Sequence, residues 1–157
     1  MKKGFTVVEL LVSIGILMVL FALTTINLTG LPSSASQSSS YDRLVSDLRS
    51  QQTMAMIGYD AAVPPAGGVS YGVHFESNSY TVFTGLSYSS INPSNFVVRL
   101  DPNLTFKDIK FPGSQVVFET GTGDITGYVV GDDSVSITDA VTGGIKTLRL
   151  NKHGATY

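Results

Sequence analysis

The 157 residues carry 10 basic and 12 acidic side chains, a formal charge of −2, and 43% of them are hydrophobic. That length holds one membrane helix plus a single globular domain of roughly 110 to 120 residues, and the charge gives no overall basic balance to recruit nucleic acid or anionic lipid. The absence of cysteine removes disulfides, thiol catalysis and cysteine metal sites together, so the domain must rely on its own core.

The chain opens with Met1-Lys2-Lys3-Gly4-Phe5-Thr6-Val7-Val8-Glu9-Leu10-Leu11, and an apolar run continues to about Leu28. No charged residue occurs from Leu10 to Tyr41. As a helix, residues 5–28 would span roughly 36 Å, enough to cross a bilayer core of about 30 Å with some tilt. We therefore read 5–29 as a transmembrane helix. The positive-inside rule keeps Lys2 and Lys3 cytoplasmic and places the chain beyond residue 30 outside. Ordinary export, with cleavage near Ala35 in Leu31-Pro32-Ser33-Ser34-Ala35-Ser36, stays open at this point. Neither reading needs Glu9. A carboxylate in a membrane helix costs about 2.5 to 3.5 kcal/mol at the centre and less near the interface, and it raises the question of a partner. Glu9 alone does not decide between a side chain idle at headgroup level and a functional one.

The run Gly4-Phe5-Thr6-Val7-Val8-Glu9-Leu10-Leu11-Val12 resembles the processing motif of type IV pilins and pseudopilins. The resemblance implies that residues 1–4 are a leader, that prepilin peptidase cuts between Gly4 and Phe5, and that Phe5 becomes the N-methylated first residue. It also implies that Glu9 pairs with the amine of a neighbouring subunit during filament assembly. The implied partners are prepilin peptidase, other pilin or pseudopilin subunits, an inner-membrane assembly platform, and membrane lipid before assembly. The implied location is the cytoplasmic membrane, single-pass with the amino end inside, and then the pilus or pseudopilus. Physical chemistry suits this reading. Gly4 lets the backbone leave the helix and enter a protease site. Cleavage would create an ammonium one turn from Glu9, and neutralising a carboxylate in low dielectric is far better than leaving it alone.

Residues 30–40, Gly30-Leu31-Pro32 and then a serine-rich run, read as a flexible neck, with an extended but weakened helix as the alternative. Proline removes a helical hydrogen bond, and the serines compete for backbone partners. From Tyr41 to Ile57 the period is helical, with Tyr41, Leu44, Val45, Leu48, Gln52 and Ala55 on one stripe. Ser39 or Ser40 would cap this helix and Gly58 would end it. Met54 and Met56 read as core fillers.

Beyond the turn-rich 61–68 the period changes to two. Val69, Tyr71, Val73 and Phe75 alternate with Ser70, Gly72 and His74, and 80–84 returns as a hairpin. Further strands are expected at 96–100, 105–111, 115–120, 125–130, 135–138 and 145–150, with glycine, proline and aspartate in the separators. The fold class is α+β: an amino-terminal transmembrane helix, then residues 41–157 as an extracytoplasmic pilin-like domain in which an amphipathic helix packs on antiparallel β-sheet. Within this layout Asp47 to Ala55, Val117-Phe118 with Gly121 and Gly123, and Leu148-Arg149-Leu150-Asn151-Lys152-His153-Gly154 resemble the GspH/FimT group of minor pilins and pseudopilins. That group is implied to prime or cap a pilus or secretion pseudopilus, and some members bind DNA.

Other chemistry is thinly supported. His74 and His153 have no clear partner nearby in sequence, and there is no nucleophile elbow or metal-spaced cluster, so no catalytic residue, metal or cofactor is expected. Gly121 to Gly127 has glycines near dinucleotide-loop spacing, but a strand follows where a helix is required, so it is read as a hairpin turn. Asp124, Asp132 and Asp133 lack the spacing of a calcium loop and are read as solvated turns. Lys146, Arg149 and Lys152 could form a small basic edge touching DNA phosphates, although a solubilising sheet edge explains them as well. The expectation is a structural, non-enzymatic filament subunit. The alternatives are a DNA-uptake pilin, or a membrane-anchored extracytoplasmic binding domain or enzyme.

Overall fold

The computed structural model describes residues 6–24, 31–58 and 69–157. Its first helix, α1, runs Val7–Thr24. Thr6 caps it, with its hydroxyl accepting from the Glu9 N–H at 3.3 Å and its carbonyl accepting from the Leu10 N–H at 3.1 Å. The apolar side chains of α1 from Val7 to Phe21 are exposed. Eighteen residues rise only about 27 Å, and among the described residues no helix is long and apolar enough to cross a membrane. Both ends of the expected 5–29 span fall outside the described residues.

The second helix, α2, runs Leu31–Ile57. Over 31–40 it replaces the expected flexible neck with the alternative, an extended helix, and so removes the expected cap at Ser39 or Ser40; residue 30 lies outside the described residues. Pro32 sits in the first turn, where its missing N–H has no intrahelical partner in any case. The serine stretch is held by bonds to distant chain. The Gln37 amide donates to Ile137 O at 3.0 Å and Gly144 O at 2.9 Å, the Ser36 hydroxyl reaches Asp101, and Lys146 Nζ donates to Ser38 Oγ at 2.9 Å. The expected stop at Gly58 is present, with φ +62°.

Among the described residues seven strands come after α2: β1 Tyr71–Phe75, β2 Ser79–Thr84, β3 Phe96–Arg99, β4 Leu104–Lys107, β5 Gln115–Phe118, β6 Ser134–Asp139 and β7 Ile145–Arg149. They make two antiparallel sheets, one ordered β3-β2-β1-β5 and the other β4-β6-β7. Helix α2 lies against β1 and β5 of the first and β6 and β7 of the second. Period two explains the core, because one face of each sheet turns to the helix. Val73, Phe75, Tyr80, Val116 and Phe118 come from the first sheet and Phe106, Val135, Ile137 and Leu148 from the second. They bury against Leu44, Leu48 and Ala55 of α2. Gln37 and Gln51 extend that buried stripe with polar side chains the hydrophobic pattern does not reveal.

Three expectations need correction. No strand forms at 125–130: Ile125 makes a single bridge to Phe118, Gly127 then turns the chain at φ +67°, and Val129 and Val130 are exposed. The 105–111 strand ends at Lys107, because Asp108 takes φ +50°. Met54 packs against the core, but Met56 is exposed and lies over the Gly123 turn.

Candidate functional site

Glu9 sits at the third position of α1, exposed, three residues after the capping Thr6. Its carbonyl accepts the Ser13 hydroxyl at 2.7 Å, which leaves its carboxylate free of that local bond. The Thr6-Val7-Val8-Glu9 spacing is that of a capping box, so Thr6 was findable from sequence as the residue that sets where the helix begins. Gly4 and Phe5, the expected cleavage and methylation positions, lie outside the described residues.

The three basic residues near the carboxyl end are not brought together. On β7 the buried Leu148 fixes the inward register, so Lys146 turns to the helix side and Arg149 to the opposite face. Lys146 lies 5.6 Å from the centre of the Tyr41 ring while its ammonium bonds Ser38, so it holds α2 to the second sheet. Lys152 pairs with Asp124 at 3.8 Å.

The residues that suggested the narrower group do converge, at the carboxyl end of α2. The Gln52 amide donates to Gly123 O at 3.0 Å and His153 O at 2.6 Å, and the Gly121 N–H donates to Ala55 O at 2.9 Å. A Cβ on Gly154 would sit 2.7 Å from Gln52 Nε2 and 2.9 Å from Phe118 Cε1, and one on Gly123 would sit 2.7 Å from Met56 Cγ. Two glycine turns therefore clasp the helix end closely. This clasp is structural.

The acidic loops separate. Asp124 faces His153, Nδ1 to Oδ1 at 2.8 Å, a partner 29 residues away. Asp133 is not a solvated turn residue: it is 3% exposed and accepts the Tyr157 hydroxyl at 2.7 Å and the Tyr128 hydroxyl at 3.3 Å. The Tyr157 bond, ahead of the others, holds the Asp133 carboxyl below its usual range, and the same bond pushes the Tyr157 hydroxyl up. Burial, then the bond to Asp47 at 2.5 Å, raises the Tyr80 hydroxyl. His74 stacks on Tyr88 with centroids 4.1 Å apart. Among the described residues no group of three or more histidine, aspartate or glutamate side chains is placed to hold a metal.

Residues 1–25 match the family model described as the prokaryotic N-terminal methylation motif. The chain carries the amino-terminal hallmark of type IV pilins and pseudopilins. The motif implies a membrane-anchored amino end, processing by prepilin peptidase and assembly with other pilin subunits. Helix α2 packed on antiparallel sheets agrees with a pilin-like α+β fold. Comparison with curated proteins and with solved structures gives no match.

Proposed function

We propose that this pilin-type chain is a non-enzymatic minor pilin or pseudopilin, most like the GspH/FimT group. It is cut between Gly4 and Phe5, methylated at Phe5, and assembled into a pilus or secretion pseudopilus through α1 and Glu9. The observation that carries this reading is the match of residues 1–25 to the methylation motif. Two features support it. The apolar surface of α1 is exposed from Val7 to Phe21 and needs lipid or neighbouring helices to cover it. Glu9 is the one carboxylate on α1, four residues after Phe5 in the sequence.

The test is intact mass with amino-terminal sequencing of the protein recovered from its native membrane, beside a Gly4→Ala form. A mature chain starting at N-methyl-Phe5, with Gly4→Ala retained at Met1, is the expected result. Wild-type chain still starting at Met1, or cut near Ala35, would sink the filament reading in favour of an anchored or secreted binding module.

A further inference from the structure

Among the described residues, two buried side-chain polar atoms have no hydrogen-bond partner, His74 Nδ1 and Asn95 Oδ1. His74 lies under the segment 85–95, and Asn95 ends that segment in the sequence. His74 alternates on β1 with the core residues Val73 and Phe75, so it points to the face of the first sheet turned away from α2. The segment 85–95 covers it there. Tyr88 lies flat on the imidazole, 4.1 Å between centroids and 7° between planes, and meets the ring of Phe83 edge-on at 5.7 Å. Phe83 is 1% exposed beneath it.

The covering segment is lightly tethered. Beyond the Gly85 N–H to Ser70 O bond at 2.7 Å that anchors its start, its bonds to the sheet are the Tyr88 N–H to Gln115 Oε1 at 3.0 Å and the Asn92 amide to Thr84 O at 3.3 Å. It starts at Gly85, whose φ of +124° few other residues adopt, and Ile91 near its middle is 89% exposed. Closing it over His74 therefore withholds Nδ1 from water with no hydrogen-bond partner in return, and native proteins keep few such groups. A neutral imidazole tolerates this, because Nδ1 can be a lone pair. An imidazolium carries N–H on both nitrogens, and the second would be a buried donor with no acceptor. The Tyr88 ring face offers the cation some attraction. Burial holds the imidazole below its usual range against the opposing pull of Glu76.

We propose that residues 85–95 are an acid-released flap: protonation of His74 at Nδ1 unseats Tyr88 and uncovers the outer face of the first sheet, Phe83 included. The titratable groups facing His74 are Glu76, just past the end of β1, and Tyr88 of the flap. Its cross-strand neighbours, Thr81 on β2 and Gln115 on β5, carry no charge. Because the closed flap favours neutral imidazole, opening grows as pH falls below the ordinary histidine value of 6.5. This inference is independent of filament assembly.

The test is amide hydrogen exchange on the full chain in zwitterionic micelles at about pH 8 and about pH 5, corrected for intrinsic rates. Amides of the flap should lose protection several-fold at the acid pH while those of β6 keep theirs. His74→Phe, which preserves a flat ring but cannot titrate, should keep the flap protected at both pH values. Tyr88→Ala should leave it open at both. Equal flap protection of the wild type at the two pH values would overturn the proposal, and so would an acid response that survives in His74→Phe.

Discussion

At the scale of single residues, Asp133 is the titratable group whose environment is best defined. Its carboxylate is buried and receives two tyrosine hydroxyls, one of them from the last residue, Tyr157. With its folded value held below the ordinary 3.8, it contributes stability that is complete above that pH and is lost as pH falls through the folded value. Tyr157→Phe should therefore be less stable than the wild type at neutral pH, and the gap should close as the pH drops below 3.8. Denaturant midpoints taken across that range decide it; a gap that stays constant with pH would show that Tyr157 acts through packing instead. Glycines allow a second comparison. Gly121 and Gly154 both have positive φ, +83° and +69°, but only Gly154 has atoms crowding its Cβ position. Gly121→Ala should cost about 1 kcal/mol for backbone strain alone, and Gly154→Ala about 2 to 4 kcal/mol with the displacement of Gln52 and Phe118 added. Equal costs by chemical unfolding would remove packing from the account. Neither the Tyr157–Asp133 bond nor the His153–Asp124 pair was legible in the sequence, because the partners lie 24 and 29 residues apart and no local period links them.

At the scale of elements, strands and helices differ in how openly the sequence declares them. Strands β1, β2, β3, β5, β6 and β7 could be read because each shows one face to the core, and that alternation is local. The segment after Ile125 misled for the same reason: Tyr128, Val129 and Val130 carry strand-forming side chains, while Gly127 in the left-handed region had already broken the ladder. The amino-terminal part of α2 misled in the other direction. Its serines and Pro32 argue against a helix, and what holds it is Gln37, bonded to carbonyls 100 and 107 residues away. Gln37→Ala should then lower stability by about 1 to 3 kcal/mol, the cost of taking this donor from the buried Ile137 O, while Gly144 O keeps the Asp139 N–H. It should also raise amide exchange selectively over 34–40, with the 44–55 part of α2 unchanged. If exchange over 34–40 stays as in the wild type, the serine stretch is helical on its own account and the distant bonds are incidental.

At the scale of the whole molecule, the chain divides its labour between a helix with no cover of its own and a domain with a complete core. The large apolar residues of α1 from Val7 to Phe21 are 47 to 79% exposed, whereas among the described residues the domain's core runs from Leu44 to Leu150 and includes no residue of α1. This division was legible, because an uncharged run with one early carboxylate contrasts with the period-two chain after it. What the apolar helix joins was not legible from its composition and came from the motif match at residues 1–25. The division has a consequence for Glu9. An exposed side chain outside the core should be nearly neutral for folding, so Glu9→Ala should change domain stability by no more than about 0.5 kcal/mol. Cleavage at Gly4 should proceed as well, since Glu9 is not at the scissile bond. Under the proposed assembly, incorporation into filaments should fall sharply, because the apolar helix would lose the carboxylate proposed to neutralise the new amine and penalise a wrong register. The three readings are separable in one preparation: unfolding of the purified chain, amino-terminal sequencing, and the fraction sheared from cells with the filaments. A Glu9→Ala protein that is stable, processed and still assembled at the wild-type level would show that the helices pack without an ion pair, and would transfer register to the apolar contacts of α1.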